Sequence, residues 1–206
     1  MSDQQLSPVQ STLSRVCVFC GSNAGARPEY RTLAEELGAR LAADGLTVVY
    51  GGARVGTMGA VSDAALAKGG EVIGVIPRVL VDREVARRDL TELHVVGSMH
   101  ERKAMMNDLS DAFVVLAGGL GTFEELFEVA TWGHLGLHRK PIVLLDRSGY
   151  FDPLLAMLDH AVDEGFLRPG ARALVRSAGT IDDAMTQLRR PVEEQPANIW
   201  LRPEQT

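Results

Sequence analysis

The sequence predicts an α/β fold in which helices cover both faces of a parallel sheet. Short apolar runs rich in branched residues alternate with longer segments whose apolar residues recur at helical spacing. Most of the short runs are apolar at every position, as strands buried on both faces are. Several runs end in glycine or proline, at the edge of a parallel sheet where ligands bind.

Length and composition indicate one globular domain with two short polar tails. The 206 residues are 46% hydrophobic and 23% charged, and the net charge is −6. This acidic balance does not favour a nucleic-acid partner, and no apolar run approaches the roughly 20 residues that span a bilayer. Because the N-terminus lacks an apolar signal core, we expect a cytoplasmic protein. We predict a domain at residues 14–190 between a disordered tail at 1–13 and a C-terminal tail at 191–206.

Six strands are predicted from apolar runs bounded by turn residues, and a shorter run predicts a seventh. The first run ends in Gly21-Ser22, the second in Gly51-Gly52 and the third at Pro77. The polar segment at 78–91 is predicted to be irregular. The predicted strands are residues 15–20, 46–50, 71–76, 93–96, 112–116, 141–145 and 174–175.

Helices are predicted where a capping residue or a proline precedes an amphipathic segment. Pro28 lies in the first turn of the first helix, and Asp152 is a predicted N-cap because proline follows it. Ser98 and Thr180 are also predicted N-caps, and Ser98 forms a capping box with Glu101. The predicted helices are residues 28–44, 57–68, 99–110, 123–131, 153–164 and 181–189.

Cys17 and Cys20 have the C-x-x-C spacing of many redox pairs. They lie within the first predicted strand, where residues three apart face opposite sides, so we interpret both as core thiols. The five histidines show no metal-ligand spacing, and we predict no metal site.

The stretch from Asp111 to Thr131 carries the strongest functional signal. A buried strand is followed by Ala117-Gly-Gly-Leu-Gly121 and then by an amphipathic helix with carboxylates in its first turn. Such an arrangement presents backbone N–H groups at a positive helix end, which is a site for phosphate. The loop lacks the lysine of a Walker A motif and the spacing of the G-x-G-x-x-G fingerprint. We therefore predict a monophosphate site formed by the amides of residues 119–122 and the Thr122 hydroxyl.

Two features of this region also have purely structural interpretations. Thr122-Phe-Glu-Glu125 fits a capping box, with Thr122 as N-cap and Glu125 at the third helical position. Arg102-Lys103, near the start of the preceding helix, fits a solvated charge pair. Because the glycines that end the strands converge on one edge of the sheet, a binding role for both features stays open.

At this point the residues resemble a known family. AGGLGTFEE (117–125) is similar to the P-G-G-x-G-T-x-x-E signature of the LOG ("Lonely Guy") phosphoribohydrolases, and Met99-His-Glu-Arg-Lys103 resembles their M-H-x-R-K motif. Tyr50-Gly51-Gly52 with Met58-Gly59, and Cys20-Gly21-Ser22, resemble the other glycine loops of the family. The resemblance covers about residues 15–188. These enzymes have often carried the label "lysine decarboxylase", for which the sequence offers no chemical reason.

The resemblance implies a Rossmann-like homodimer, and we predict no cofactor. It implies hydrolysis of the N-glycosidic bond of nucleoside 5′-monophosphates, characteristically N6-prenylated adenine nucleotides, to a free cytokinin base and ribose 5-phosphate. At matching positions, Arg102 and Glu125 would be the catalytic pair. The implied substrate-binding residues are Ser22, Gly52, Glu84, Lys103, Gly119, Leu120, Gly121, Thr122, Phe123, Glu124 and Thr131.

Two positions depart from the family pattern. Ala117 replaces a proline, which removes no functional group. Ala53 follows Gly51-Gly52 where a third glycine is usual, so we expect backbone strain if that position requires a positive φ.

Three other functions compete with this interpretation. The same site would serve a nucleotide-binding module without catalysis. The presence of Glu125 and Arg102 argues against this alternative, because a passive phosphate site needs no acid. An enzyme of the same class would have plain AMP or another purine monophosphate as its substrate. A pyridoxal-phosphate decarboxylase would need a Schiff-base lysine, and none of Lys68, Lys103 and Lys140 has a convincing setting.

Overall fold

Seven strands form one parallel sheet in the computed structural model, which describes residues 13–81 and 86–192. Every neighbouring pair of strands is parallel, in the order β4-β3-β2-β1-β5-β6-β7. The α/β fold predicted from the sequence is thus confirmed. The strands are β1 Arg15–Phe19, β2 Thr47–Tyr50, β3 Val72–Pro77, β4 Glu92–Val96, β5 Ala112–Val115, β6 Ile142–Leu145 and β7 Val175–Ala178.

Helices cover both faces of this sheet, as the alternation of apolar segments predicts. One face packs against α1, α2 and α8, and the other against α4, α5 and α6. Cys20 belongs to the first of these two cores and Cys17 to the second, so the two thiols face opposite sides of β1. The helices are α1 Pro28–Ala43, α2 Gly56–Ala67, α3 Arg78–Val81, α4 Met99–Asp108, α5 Leu120–His134, α6 Asp152–Asp163, α7 Pro169–Arg172 and α8 Ile181–Arg189.

The order of strands reverses between β1 and β5. The chain builds outward from β1 to β4 and then returns through α4 to place β5 on the other side of β1. Loops on either side of such a switch point diverge, which opens a crevice at the carboxyl ends of the strands. The glycines after β1, β2 and β5 therefore meet at one edge of the sheet, as predicted.

Several predicted boundaries differ from the structure. Residues 78–91 contain the short helix α3 where we predicted none, and β7 extends to Ala178, beyond the predicted 174–175. Phe151, not Asp152, is the N-cap of α6. The N-caps Ser98 and Thr180 are confirmed, because their hydroxyl groups accept from the backbone N–H of Glu101 and of Asp183.

The capping box predicted at the start of α5 is wrong. Helix α5 begins at Leu120, with Gly119 as its N-cap. Thr122 and Glu125 are therefore inside the helix, and both side chains are buried. Since neither residue caps the helix, a capping role does not explain why a glutamate is buried at position 125.

Candidate active site

A cavity of about 570 Å³ lies at the switch point, beyond the carboxyl ends of β1, β2 and β5. The loops after β1 and β5 form two of its walls, and side chains of α4 and α5 also line it. Its polar side chains include Ser22, Asn23, Arg102, Thr122 and Glu125. Its apolar side chains include Met58, Leu80, Met99, Met106 and Leu120.

Glycine is required at two positions of these loops, Gly118 and Gly51, because neither has space for a side chain. A Cβ added at Gly118 would lie 2.1 Å from the Thr122 hydroxyl oxygen and 3.0 Å from the backbone nitrogen of Gly21. A Cβ at Gly51 would lie 2.1 Å from a terminal guanidinium nitrogen of Arg102. The glycine motifs thus let the two loops and the buried arginine approach one another closely.

The N-terminus of α5 opens into the cavity. Its N-cap, Gly119, has no side-chain oxygen to bond the first N–H groups, and those groups have no carbonyl partner within the helix. Gly119, Leu120, Gly121 and Thr122 all line the cavity. Backbone donors at the positive end of a 15-residue helix suit an anion such as a phosphate group.

Arg102 and Glu125 form a buried ion pair at the base of the cavity. Their nearest atoms, Nη1 and Oε1, are 3.6 Å apart, and the side chains are 8% and 9% exposed. Two backbone carbonyls hold the guanidinium group: Arg102 Nε donates to the oxygen of Val75 at 3.1 Å, and Nη2 donates to that of Gly51 at 3.2 Å. The sheet edge therefore fixes the arginine, and the carboxylate lies opposite it on α5.

The pKa of Glu125 is raised to about 7. Burial is the main cause, and the neighbouring carboxylates Glu124 and Glu128 raise it further, whereas Arg102 and Lys103 lower it. A carboxyl with this pKa exchanges a proton readily near neutral pH, which suits acid–base or electrostatic catalysis.

Lys103 points away from the cavity, although it is adjacent to Arg102. Its ammonium group donates to Glu124 and, at 2.9 Å, to Oε1 of Glu128. Burial lowers the pKa of Lys103, but the two carboxylates outweigh that effect and raise it. The lysine is thus a charged link between α4 and α5, and it is not among the residues that line the cavity.

The structure brings together only part of the predicted site. Ser22, Arg102, Gly119, Leu120, Gly121, Thr122 and Glu125 line the cavity, whereas Gly52, Lys103, Phe123, Glu124 and Thr131 do not. Thr131 is exposed on α5, where its hydroxyl donates to the carbonyl of Phe127 at 2.6 Å. At a rise of about 1.5 Å per residue, it is roughly 16 Å along the helix from Leu120. Glu84 lies outside the described residues.

Gly52 and Ala53 shape the loop beneath the cavity. Gly52 has a φ of +76°, and a Cβ there would lie 3.1 Å from Ile76. Among the described residues, a positive φ occurs only at glycines, so the strain we considered at Ala53 is absent. Ala53 is instead buried and forms an isolated antiparallel bridge with Ala86.

Two tyrosines of the cavity wall, Tyr30 and Tyr150, were not predicted from the sequence as site residues. The Tyr150 hydroxyl donates to the carbonyl of Gly118, and its ring stacks on Phe123 with centroids 6.3 Å apart. Tyr30 contacts the Tyr150 ring edge to face. One signal was available for Tyr150, because it follows β6 and so lies at the same edge of the sheet as the glycine loops.

Residues 13–81 and 86–192 contain no group of three His, Cys, Asp or Glu side chains placed to hold a metal ion. Nor do they contain a helix that is both long and apolar enough to cross a membrane.

Comparison with known proteins identifies relatives over most of the chain. The profile of a family described as "possible lysine decarboxylase" matches residues 58–188. A cytokinin riboside 5′-monophosphate phosphoribohydrolase from Rhodococcoides fascians is 50% identical over 181 residues, which are 87% of this chain and 91% of the relative. An enzyme of the same name from Arabidopsis thaliana is 47% identical over 179 residues, 87% of this chain and 82% of the relative.

The solved structures show that the fold is shared more widely. A molybdenum cofactor carrier protein from Chlamydomonas reinhardtii superposes with a TM-score of 0.64 at 23% identity. The superposition covers 87% of this chain and all of the carrier protein. At this identity the likeness extends to the fold alone.

Proposed function

The chain belongs to the LOG family of phosphoribohydrolases, and we propose that it hydrolyses N6-modified adenosine 5′-monophosphates to the free base and ribose 5-phosphate. The observation that carries this proposal is the buried Arg102–Glu125 pair beside the open N-terminus of α5. A nucleoside monophosphate combines the two groups that such a site suits, a phosphate and an N-glycosidic bond.

The phosphate is proposed to bind at the start of α5. Residues 119–122 include the first N–H groups of α5, which have no carbonyl partner within the helix, and the short Gly118–Gly119 segment lets the phosphate approach the backbone. This contact would place the ribose between the glycine loop and Glu125, whose side chain leaves the same helix about one turn further on.

Glu125 is proposed to act on the sugar carbon C1′. Breaking the bond between C1′ and the base develops positive charge on the ribose ring, as in glycoside hydrolysis. An ionised carboxylate stabilises that charge, or takes a proton from the attacking water while the departing base gains one. Arg102 is always charged, and its donors are suited to the ribose or to the departing base.

The apolar wall of the cavity favours a substrate whose base carries an alkyl substituent. Three methionines, Met58, Met99 and Met106, contribute to this wall together with Leu80. Methionine side chains are flexible and polarizable, so they adapt to an irregular apolar group. A prenyl chain on N6 would bury apolar surface there that plain adenine lacks.

The chain's lysines argue against a pyridoxal-phosphate decarboxylase. Lys103 is bound to two carboxylates, and Lys140 donates to the carbonyl of Asn107 at 2.6 Å. Lys68 is the C-cap of α2. None of these three lines the cavity, so no lysine is placed there to form a Schiff base.

An end-point assay tests the proposed function. The protein is incubated with N6-isopentenyl-AMP, AMP and the corresponding nucleosides, and released bases are separated by chromatography. We expect isopentenyladenine and ribose 5-phosphate in equal amounts, with little release from the nucleosides. Release from AMP alone would favour a purine-monophosphate nucleosidase, and nucleotide binding without release would favour a binding module.

We further propose that the protein is a homodimer. Phe127 in the middle of α5 leaves 42% of its surface exposed, and Leu137 just beyond the helix leaves 39%, so α5 and the turn after it offer apolar surface for a second copy. Met106 does not contribute, because it is buried in the core. Light scattering at micromolar concentration is expected to give the mass of a dimer, and a monomer mass would contradict the proposal.

A further inference from the structure

Lys103 is a buried charged residue that the proposed mechanism does not use. Its side chain is 6% exposed, and its ammonium group lies between Glu124 and Glu128 of α5. Arg102 and Lys103 are adjacent on α4, and neighbouring helical residues point in different directions. The arginine therefore faces the cavity, while the lysine faces the adjoining helix.

Glu128 depends on this lysine for its charge compensation. Its Oε1 accepts from Lys103 at 2.9 Å, whereas its Oε2 is buried and has no hydrogen-bond partner among the described residues. Without the lysine, Oε1 of Glu128 would lose this donor, while Oε2 has no hydrogen-bond partner among the described residues even when the lysine is present. Two carboxylates near Glu125 would then lack their cation, the largely buried Glu128 and the half-exposed Glu124.

The charges around Glu125 come from the two helices that meet at the cavity. The thiols of Cys17 and Cys20 also lie near this carboxyl, but burial raises the pKa of both, so they stay neutral. Among the charged neighbours, the two cations favour the ionised form of Glu125 and the two carboxylates oppose it. The groups are Arg102 and Lys103 of α4, Glu124 and Glu128 of α5, Cys17 of β1 and Cys20 directly after β1.

We propose that Lys103 is a positioning residue that joins α4 to α5 and offsets the negative charge of Glu124 and Glu128 beside Glu125, without contacting the substrate. This inference rests on the proposed function, since Glu125 is the group through which Lys103 acts. It differs from the role implied by the family motif, in which Lys103 binds the nucleotide. The two roles predict different kinetic effects.

The pH dependence of kcat/KM separates these roles. It reports the titration of groups in the free enzyme, so its acid limb follows Glu125 if the carboxylate is the active form. In Lys103→Met the acid limb should move to higher pH by roughly half a unit or more, because a favourable charge is lost. On the alkaline plateau, KM should stay within about threefold of the wild-type value, since no substrate contact is removed.

Variants of the two carboxylates test the same inference in the opposite direction. Glu124→Gln and Glu128→Gln should each move the acid limb to lower pH, because each removes a charge that opposes ionisation of Glu125. The double variant Lys103→Met/Glu124→Gln should return it towards the wild-type position. These variants keep the inference testable if Lys103→Met does not fold.

Lys140→Met is the matched control. Lys140 is also partly buried and also ties a helix end, since it bonds the carbonyl of Asn107 in α4. It is not among the groups that shift the pKa of Glu125. Its replacement should leave the acid limb unchanged, whatever it does to stability.

Two results would overturn the inference. A tenfold or greater rise in KM for Lys103→Met on the alkaline plateau, with the acid limb unmoved, would make Lys103 a substrate ligand. An acid limb that stays fixed in both carboxylate variants would show that the cluster does not act on Glu125. Wild-type protein that releases no base would instead contradict the proposed function. In that case infrared titration of the Glu125 carboxyl, with Glu125→Gln as the blank, still tests the inference, because the same shifts are expected.

Discussion

At the carboxyl ends of the strands, a methyl group added at Gly118 would lie 2.1 Å from the Thr122 hydroxyl oxygen; at the amino ends, one added at Gly45 would meet no atom within 4 Å. Gly45 instead has a φ of +72° and ends helix α1. Gly45 thus serves through its backbone conformation, whereas Gly118 serves because no side chain would fit. Only the second use indicates a site.

The charged side chains differ between the two ends in the same way. Near the amino ends, Arg40 and Arg189 pair with Asp44 at the surface, where such pairs stabilise a protein little. At the carboxyl ends, Arg102 and Glu125 are buried together at 3.6 Å. Removing two charges from water costs free energy that their mutual attraction need not recover. The buried pair is therefore better explained by a role in the site than by a contribution to stability.

Gly118→Ala should have the largest effect. The new methyl group would collide with buried Thr122 and with the backbone of Gly21, so the loop must move. We expect a loss of roughly 10²-fold or more in kcat/KM and a loss of about 1–3 kcal/mol in stability. Gly119→Ala is the control, because a Cβ there meets nothing within 4 Å. Because alanine is a poorer N-cap than glycine, Gly119→Ala should lose only about 1 kcal/mol or less, and an equal loss in both variants would contradict the argument from space.

Glu125→Gln should stabilise the protein at alkaline pH. Because the folded-state pKa of Glu125 is raised to about 7, its contribution to the free energy of unfolding falls as the pH rises from its ordinary pKa to about 7. The glutamine variant lacks this decline and should be more stable by up to about 3 kcal/mol at about pH 8.

Denaturant unfolding at several pH values measures this effect. The advantage of the variant should shrink as the pH falls and disappear below about pH 4, where the carboxyl is protonated in the folded protein and mostly so in the unfolded chain. Glu29→Gln, at an exposed position, is the control and should show no such trend. A wild type that is the more stable protein at alkaline pH would contradict the burial argument.

Tyr150→Phe should have a smaller effect. It removes the hydroxyl that bonds the Gly118 carbonyl but keeps the ring that stacks on Phe123. We expect kcat/KM to fall about tenfold, with a change in stability of about 1 kcal/mol. Tyr30→Phe removes a hydroxyl of the same wall that accepts from Arg27 and does not bond Gly118, so it should have less effect on kcat/KM. Equal effects would remove the assigned role of the Tyr150 hydroxyl.

Gly45→Asn should have the smallest effect. Asparagine tolerates a positive φ better than other residues with side chains, and its Cβ has open space. We expect a loss of about 1 kcal/mol or less in thermal unfolding, with no change in kcat/KM. A loss of activity comparable to that of Gly118→Ala would erase the contrast between the two ends of the sheet.

The sequence predicted the sheet, the converging glycines and the two residues of the buried pair. It predicted them because strands such as β5 are apolar throughout and because the motifs around Arg102 and Glu125 are local. It misplaced the start of α5, since Thr122 and Glu125 satisfy a capping pattern although the helix begins earlier, at Leu120. The partners of Lys103 and the bond of Tyr150 to Gly118 depend on packing between distant segments, which no local pattern encodes.

The central claim is that Glu125 acts on the substrate and does not merely occupy the core. The most direct measurement compares the turnover of N6-isopentenyl-AMP by wild type and by Glu125→Gln, together with nucleotide affinity by calorimetry. The account predicts that the variant binds nucleotide normally and loses roughly 10²-fold or more in kcat. A variant that binds nucleotide and turns it over at near wild-type rate would contradict it.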